Sequence, residues 1–298
     1  MRVFLTGATG FIGTAVIPEL IANGHTVLGL VRSDAGAASI TALGAEVLRG
    51  DLEDLDTLRR GASTSDAVIH AGFIHDFANF KHACAVDETA IKTLGEALAN
   101  STSTLTERPF LVTSGIGPNN PGTAKTELDP PMPHNAEYPR TSEVTGLAQQ
   151  RPNVRVNIIR LPQVHDPQKQ GLISYLIPID RKAGASLYVG EGQNAWAACH
   201  ISDAARLYRL ALEKGKPGAA YHAVGEEGVR SRDIAESLSR GLNFPLKSLT
   251  PQEAQQQLGF LGFFSSIDML ASSAITKKEL DWHPTGPTLI EDLNQAKF

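Results

Sequence analysis

The stretch MRVFLTGATGFIG, residues 1–13, decides the fold of this chain. A short apolar run that predicts a buried strand leads into three closely spaced glycines, and a helix-period apolar pattern follows them. Gly7 permits a tight turn, Gly10 lets backbone N–H groups approach a pyrophosphate, and Gly13 lets the helix pack closely on the strand. The helix N-terminus would present free N–H groups and its positive dipole end to the phosphates. The stretch therefore predicts a turn that cradles a nucleotide.

The first half of the chain continues as an alternation of strands and helices. A lone glycine triplet is weak evidence for nucleotide binding, but this alternation is the context that the motif requires. It predicts an α/β fold with a doubly wound parallel sheet covered on both faces. The predicted strands after the first lie at 26–31, 46–49, 66–70, 109–113 and 154–160, and the helices between them include 35–43 and 85–100.

Composition and charge exclude several function classes. The chain has 298 residues, enough for one large α/β unit with a smaller lobe, and its net charge of -5 comes without a basic block, which excludes a nucleic-acid partner. Cys84 and Cys199 lie far apart, and the nine histidines show no zinc-type spacing, so free thiols and no metal site are expected. The apolar stretch 258–270 is interrupted and too short for a bilayer, and the first strand starts at residue 2. A cytoplasmic protein without membrane association is expected.

The end of the second strand carries the expectation about the cofactor. In dinucleotide-binding folds this strand end meets the adenosine ribose, where a carboxylate binds the 2′-hydroxyl and an arginine accommodates a 2′-phosphate. Arg32 and Ser33 lie at this strand end, and the first carboxylate after the strand is that of Asp34. The sequence therefore favours NADP over NAD. Asp34 keeps NAD as the alternative cofactor, and a solvated surface position is the alternative for Arg32.

Small and acidic residues follow the third and fourth strands. Asp51, which precedes Leu52, either caps the next helix or accepts a hydrogen bond from the adenine amino group. Ala71 and Gly72 are small enough to let the ribose and phosphates pass close to the backbone. These residues extend the predicted cofactor site along the carboxyl ends of the strands.

The chain carries a series of motifs in a familiar order. They are TGATGFIG, VRS, GDL, HAG, FLVTSG, EYPRTSE, RLPQVHDP, HISDAA and KKELDWHP. Together they resemble the extended short-chain dehydrogenase/reductase family, also called the NAD-dependent epimerase/dehydratase family, over nearly the whole chain. The resemblance implies a Rossmann-type dinucleotide-binding domain at 1–165, to which 196–224 return. It also implies a smaller C-terminal substrate-binding lobe formed by 166–195 and 225–298.

The resemblance also implies individual contacts. Thr9, Phe11 and Ile12 would contact the cofactor beside the glycines, and the backbone around Val164 would meet the nicotinamide carboxamide. The same resemblance allows a homodimer, since dimerisation through two helices of the core is common in the family.

The catalytic pattern of the family is incomplete in this chain. The family uses a Ser or Thr after the fifth strand and a Tyr-x-x-x-Lys pair on the next helix, in which the lysine lowers the tyrosine pKa. Tyr138 matches the tyrosine, but Ser142 stands where the lysine belongs, and Ser114 lies one position before the usual serine. Tyr138 and Ser114 are the predicted pair at the substrate oxygen. Arg140 is a candidate replacement cation, but on a helix its spacing would place it on another face.

Prolines dominate the segment before this tyrosine. Six of them occur between Gly117 and Pro139, a density that denies both a helix and a central strand. A long irregular loop is therefore expected there.

These observations predict an NADP(H)-dependent oxidoreductase of the atypical extended type. Its small-molecule substrate would be a carbonyl or a secondary alcohol that exchanges a hydride with the nicotinamide. The missing lysine leaves a second hypothesis, a non-catalytic NADP(H)-binding protein with a redox-sensing or regulatory role. A sugar-nucleotide epimerase or dehydratase with retained NAD is a third, against which Arg32 argues.

Overall fold

The computed structural model describes residues 1–135 and 138–298, without the side chains of Phe77 and Phe260. The chain divides into two compact units. The first consists of Met1–Ser114, Pro130–Arg160 and Ala205–Tyr221, and the second of Gly115–Asp129, Leu161–Ala204 and His222–Phe298. In the described part of the chain, no helix combines the length and the apolar character needed to cross a membrane.

Strands and helices alternate strictly up to residue 115. In chain order they are β1 (Arg2–Thr6), α1 (Phe11–Ala22), β2 (Thr26–Val31), α2 (Asp34–Ala42), β3 (Glu46–Arg49), α3 (Leu55–Ser63), β4 (Ala67–His70), α4 (Phe80–Ala99) and β5 (Arg108–Gly115).

The remaining elements are shorter on average and less regular in order. They are α5 (Ser142–Leu147), β6 (Val154–Leu161), β7 (Gln163–His165), α6 (Ile173–Ala183), β8 (Ser186–Val189), β9 (Ala195–His200), α7 (Ile201–Lys214), β10 (Ala220–His222), β11 (Glu226–Arg230), α8 (Ser231–Leu242), β12 (Leu246–Leu249), α9 (Pro251–Leu258), α10 (Phe260–Phe264), α11 (Ala274–Leu280) and α12 (Leu289–Gln295).

The central sheet has seven strands in the order β10-β6-β5-β4-β1-β2-β3. The register runs parallel from β3 through β2, β1 and β4 to β5, with Phe4 paired to Leu28 on one side and to Val68 on the other. The strand order reverses between β1 and β4, and ligands of open α/β sheets bind at such a switch point, beyond the carboxyl ends of the strands. The predicted doubly wound, Rossmann-type sheet is confirmed.

The core of the first unit explains why these segments become strands and helices. Buried strands contribute continuous apolar runs, as expected for a sheet covered on both faces, and α4 supplies Ala90, Ile91, Leu94 and Leu98 on one helical face. All four of these helix residues are fully shielded from solvent. The sheet and this helix therefore hold the carboxyl ends of the strands in fixed positions.

The second unit has its own sheets and its own core. Three strands pair in the order β11-β9-β7, with β9 parallel to β7 and antiparallel to β11, and β12 pairs with β8 in parallel. Trp196, Leu187, Ile234, Leu249 and Leu293 are buried in one apolar cluster of this unit. The second unit therefore has a hydrophobic core of its own.

The compact units follow different boundaries from the predicted domains. Residues 205–221 belong to the first unit, whereas the prediction assigned 196–224 to it. Residues 161–165 were predicted in the first domain but belong to the second unit. Residues 115–129 also fall there, although the prediction counted them in the first domain. The strand β9 accounts for the difference at 196–200, because its partners β7 and β11 belong to the second unit.

Three local expectations were wrong in detail. Of the two roles predicted for Asp51, the helix cap is wrong: Asp54 caps α3, with its side chain accepting a hydrogen bond from the Thr57 N–H, and the contact with adenine stays a prediction. Helix α4 begins at Phe80, five residues before the predicted start. Tyr138 precedes α5 instead of lying on it, because Pro139 disfavours helical backbone at the residue before it and α5 starts only at Ser142.

The proline-rich loop agrees with its prediction in the described residues. Between Gly117 and Pro139 the structure has no helix or extended strand among residues 117–135 and 138–139, and only an isolated bridge joins Lys125 to Ala271. Positions 136 and 137 of this predicted loop lie outside the described residues.

A buried carboxyl group in α6 makes the stability depend on pH. Burial raises the pKa of Asp180 to about 7 from 3.8, although the backbone N–H of Leu187 donates a hydrogen bond to it. The folded state therefore holds this proton at pH values where the unfolded chain has lost it. Its contribution to stability is complete below pH 3.8 and is lost as the pH rises to about 7.

We expect Asp180→Asn to stabilise the protein at pH 8 by about 2–4 kcal/mol and to change little at pH 4, because the amide oxygen still accepts from Leu187 and carries no charge. Urea unfolding at both pH values measures this difference. Asp281→Asn, at an exposed side chain that pairs with the exposed His283, is the control and should show a much smaller pH dependence. Equal effects of Asp180→Asn at the two pH values would contradict the prediction.

Candidate active site

The turn after β1 is built around two glycines that the fold itself requires. Gly7 has a φ of +69°, and a Cβ there would lie 2.6 Å from the carbonyl oxygen of Ala71 and 2.7 Å from the nitrogen of Gly72. A Cβ on Gly13 would lie 2.2 Å from the carbonyl oxygen of Gly7. Both positions therefore need glycine for internal packing, as the sequence predicted for a tight turn and a closely packed helix.

Gly10 differs from the other two glycines. Its backbone is exposed, and the only close approach of an added Cβ is 3.1 Å to the carbonyl oxygen of Gly7. It precedes α1, whose first turn has neither a side-chain cap nor an acidic residue, so α1 itself brings no carboxylate to its N-terminus. The arrangement fits a pyrophosphate at Gly10, and the first helical residues Phe11 and Ile12 are half-buried beside it.

The end of β2 lies next to this turn. A Cβ on Gly36 would lie 3.0 Å from Cγ2 of Thr9 and 3.3 Å from Oγ of Ser33, so the two predicted contact residues converge there. Ser33 caps α2 by accepting a hydrogen bond from the Gly36 N–H at 3.1 Å. The side chain of Arg32 is exposed at the same strand end.

Asp34, which kept NAD as an alternative, has a cationic partner. Its carboxylate forms an ion pair with Arg49, at the end of β3, and both side chains are exposed. The positive charge of Arg49 therefore offsets the negative charge of Asp34.

The residues after β3 and β4 also meet at this edge of the sheet. Asp51 accepts hydrogen bonds from the N–H groups of Glu53 and Asp54 at 2.9 and 3.0 Å. A Cβ on Gly72 would lie 3.3 Å from Cδ2 of Leu52 and 3.1 Å from the nitrogen of Gly7. The structure thus brings Gly7, Leu52, Ala71 and Gly72 together, as predicted for a cofactor cleft.

Val164 belongs to the second unit. It is buried in β7, where it pairs with Cys199 of β9. Its predicted contact with the carboxamide stays a prediction.

Tyr138 and Ser114 share one small surface depression in the first unit. Arg140 and Ser142 also line it, together with the loop residues that lead into α5. The Tyr138 ring packs at a tilt against the Phe80 ring, with centroids 5.9 Å apart. The backbone N–H of Tyr138 donates a hydrogen bond to Oδ1 of Asn135. The predicted pair therefore lies on a common surface.

Arg140 is held in place from three directions. Its Nε donates a hydrogen bond to Oγ of Ser142 at 2.8 Å, and a terminal nitrogen lies 3.4 Å from the carbonyl oxygen of Thr113. Its guanidinium carbon lies 4.4 Å from the centre of the Phe73 ring, in a cation–π contact. Because Arg140 precedes α5, the expectation that helical spacing places it on another face than position 142 was wrong.

A buried chain of hydrogen bonds connects the glycine turn with this loop. Thr6 Oγ1 lies 2.8 Å from Nδ1 of His70, whose Nε2 lies 3.1 Å from Asp87, and Ser142 donates to the other oxygen of Asp87 at 2.5 Å. The Gly72 N–H donates to Thr6 Oγ1 at 3.1 Å. Four of the linked side chains, those of Thr6, His70, Asp87 and Ser142, are at most 2% exposed.

The sequence reasoning missed Asp87, although a signal was present. Helix α4 has an apolar stripe that contains Ala83, Ala90, Ile91 and Leu94, and Asp87 occupies the same stripe. A carboxylate on the buried face of a helix needs partners and marks a site that deserved inspection.

The charges around the depression influence one another. Burial alone would raise the pKa of Asp87, but hydrogen bonds from His70 and Ser142 and the charge of Arg140 hold that pKa below its usual value. Burial raises the pKa of Cys84 to about 11, so its thiol stays protonated at neutral pH. Asp87 is therefore an anion that faces the Arg140 cation.

Comparison with known proteins agrees with this architecture. The model of the NAD dependent epimerase/dehydratase family matches residues 3–224. An uncharacterized protein of Saccharomyces cerevisiae is 43% identical over 98% of this chain and 98% of its own length. A 4-hydroxy-2-methyl-3-oxo-4-farnesyl-3,4-dihydroquinoline-1-oxide ketoreductase of Stigmatella aurantiaca is 26% identical over 88% of this chain and 80% of its own length.

A solved structure shares the fold. The dTDP-glucose 4,6-dehydratase of Streptomyces venezuelae, with NAD and TYD bound, superposes with a TM-score of 0.77 at 20% identity and covers 99% of this chain and 95% of that chain. The family match extends over most of the chain, from the glycine turn to beyond β10. The chain therefore belongs to the NAD-dependent epimerase/dehydratase family, the extended type of short-chain dehydrogenase/reductase.

Proposed function

We propose that this protein is an NADP(H)-dependent oxidoreductase that interconverts a small carbonyl compound and the corresponding secondary alcohol. The observation that carries the proposal is the shared depression of Tyr138 and Ser114, in the unit that contains the glycine turn. A phenol and a hydroxyl on one surface can act on the same substrate oxygen. The named ketoreductase among the relatives supports a carbonyl substrate.

The residues around the glycine turn support a dinucleotide cofactor. Gly7, Gly10 and Gly13 would hold the pyrophosphate at the start of α1, and Ala71 and Gly72 leave room along the backbone for the ribose. When bound, a reduced nicotinamide supplies the hydride. The roles that remain for this chain are to orient the substrate and to move a proton.

Tyr138 and Ser114 would divide the work at the carbonyl oxygen. Ser114 donates a hydrogen bond that polarises the C=O bond, and the Tyr138 hydroxyl gives its proton to the oxygen as the carbon accepts the hydride. A C–H and an O–H bond form, the C=O π bond and the phenolic O–H bond break, and a phenolate is left. Solvent then returns a proton to Tyr138.

Arg32 and its surroundings support NADP as the cofactor. The exposed guanidinium of Arg32 stands beside the Ser33 cap at the start of α2, and a 2′-phosphate there would meet one cation and one hydroxyl. The ion pair of Asp34 with Arg49 balances the nearest carboxylate. A bare carboxylate at that position would favour an unphosphorylated ribose instead.

Titration of the cofactor-free protein with NADP and with NAD tests the proposal. We expect NADP to bind more tightly, and Arg32→Ala to weaken NADP binding about tenfold to a hundredfold, the effect of losing a charge-assisted hydrogen bond. NAD affinity should stay unchanged, as should both affinities in Arg59→Ala, whose exposed arginine lies on α3. Equal or tighter binding of NAD by the wild type would favour the epimerase or dehydratase hypothesis.

Substitutions of Gly10 and Gly13 distinguish an effect on cofactor binding from an effect on stability. We expect Gly10→Ala to destabilise the protein less than Gly13→Ala, because its Cβ would lie 3.1 Å rather than 2.2 Å from the Gly7 carbonyl oxygen. We also expect it to lose at least about tenfold in NADP affinity, because its methyl group would meet the pyrophosphate. Gly13→Ala should lower the free energy of unfolding by about 1–3 kcal/mol, the usual cost of an overpacked position. The result that contradicts this reading is a Gly10→Ala variant that binds NADP normally.

Tyr138→Phe tests whether the protein is a catalyst or only a binder. We expect the variant to bind NADPH as tightly as the wild type and to oxidise it at least about a hundredfold more slowly across a panel of ketones and aldehydes, since the proton donor is absent. Tyr175→Phe, at a partly exposed tyrosine of α6, is the control and should behave as the wild type. Binding without turnover in every variant, wild type included, would favour the regulatory hypothesis, which the missing lysine motivates.

A further inference from the structure

The position of the family lysine is occupied by Ser142, and the structure shows what that serine does. We propose that Arg140 is the functional substitute for the lysine: its guanidinium places positive charge at the Tyr138 hydroxyl, and Ser142 fixes it there. The proposal rests on the proposed function, since it gives Tyr138 the role of proton donor. It assigns the catalytic cation to a position that the family motif does not include.

The backbone path makes this substitution possible. Pro139 separates Tyr138 from Arg140 and keeps the segment out of α5, so the two side chains are neighbours in a loop and not residues two apart on a helix. The Arg140 and Tyr138 side chains line the same depression, where the Phe73 ring contacts the guanidinium and the Phe80 ring packs against the Tyr138 ring. A lysine at 142 would have to reach this point from the first turn of the helix.

Arg140 is anchored more firmly than a surface arginine. Ser142 Oγ accepts from its Nε, the Thr113 carbonyl oxygen faces one terminal nitrogen, and the Phe73 ring lies against its flat face. A guanidinium has five N–H donors in a rigid plane, so these contacts leave donors for Tyr138. The serine at the lysine position is thus the anchor of the replacement cation.

The buried chain behind Ser142 has one consistent direction of donation. With His70 neutral and its proton on Nε2, the Thr6 hydroxyl accepts from the Gly72 N–H and donates to His70 Nδ1, and His70 Nε2 donates to Asp87. Ser142 donates to the second Asp87 oxygen while it accepts from Arg140. Every bond in the chain then has one donor and one acceptor, and Asp87 supplies the negative charge that offsets Arg140.

The groups that face the Tyr138 hydroxyl act in opposite directions. Burial is the largest influence and raises the pKa of Tyr138, and Cys84 and Asp87 of α4 raise it further. The charge of Arg140 lowers it. Tyr138 therefore stays protonated at neutral pH, as a proton donor must, while Arg140 stabilises the phenolate that forms when the proton leaves.

Tyrosine ionisation in the cofactor-free protein tests this assignment without any turnover. With tyrosine labelled at the Cζ carbon, nuclear magnetic resonance reports each phenolate, and the Tyr138 signal is the one that Tyr138→Phe removes. At an alkaline pH where circular dichroism shows a folded protein, we expect Arg140→Met to reduce the ratio of phenolate to phenol at Tyr138 at least about tenfold. Arg140→Lys keeps a cation and should stay within about twofold of the wild type. Should Arg140→Met not fold, Arg140→Gln, which keeps donors for Ser142 and Thr113, gives the same comparison.

Ser142 is a positioning residue and has its own test. Ser142→Ala should lower the Tyr138 phenolate ratio in the same direction as Arg140→Met, and Ser142→Thr, which keeps the hydroxyl, should restore it. In turnover, Arg140→Met should lower kcat with little change in KM or in NADPH affinity. An unchanged Tyr138 ionisation in both Arg140→Met and Arg140→Gln overturns the proposal and leaves Arg140 as a structural clamp. Failure of the proposed function would show itself differently, as absent cofactor binding or absent turnover in a wild type whose Tyr138 ionisation still depends on Arg140.

Discussion

The close approach of two backbone turns, after β1 and after β4, is the constraint on which the rest of the first unit depends. Gly7 lies so near Ala71 and Gly72 that no side chain fits between them. The same approach brings the Gly72 N–H onto the Thr6 hydroxyl, which in turn reaches His70. Because strand order reverses between β1 and β4, this contact lies at the place where the sheet leaves room for a ligand. One steric requirement therefore shapes both the nucleotide turn and the start of the buried polar chain.

The buried chain of hydrogen bonds extends from that backbone contact to Ser142 and Arg140, and so positions the loop before α5. Asp87 is 2% exposed, and an isolated carboxylate there would pay a large desolvation cost. Hydrogen bonds from His70 and Ser142 and the charge of Arg140 offset this cost, so the carboxylate and the cation stabilise each other. The described residues of the loop before α5 form no helix or extended strand, and this network anchors the loop at Arg140. A continuous set of hydrogen bonds therefore connects the glycine turn with Arg140.

The sequence predicted most of the first unit because its signals are local. Continuous apolar runs identified the first six strands, and helix-period patterns identified the helices between them. Two of the strands, 26–31 and 46–49, match the structure to the residue. The second unit was predicted less completely. Strands β7, β11 and β12, three to five residues long, exist only through pairing with distant partners. They show no period-2 pattern, because β7 is buried throughout and β11 and β12 are mostly exposed. Tertiary pairing, which no window of sequence contains, decides such strands.

The candidate catalytic residues show a different limit of sequence reasoning. The family motif has a lysine where this chain has Ser142. On a helix, the spacing of Arg140 would place it on another face and so argue against it as the replacement. That spacing assumes that residues 138–142 share one helix, and Pro139 removes that assumption. Once the segment is a loop, the serine and the arginine are read together, since one hydroxyl links the cation to a carboxylate on α4. The detectable trace in the sequence was Asp87, an acidic residue in an apolar helical stripe, because a buried carboxylate requires a cation or several donors near it. A motif that has lost its charge is therefore best judged together with every unexplained buried charge of the opposite sign.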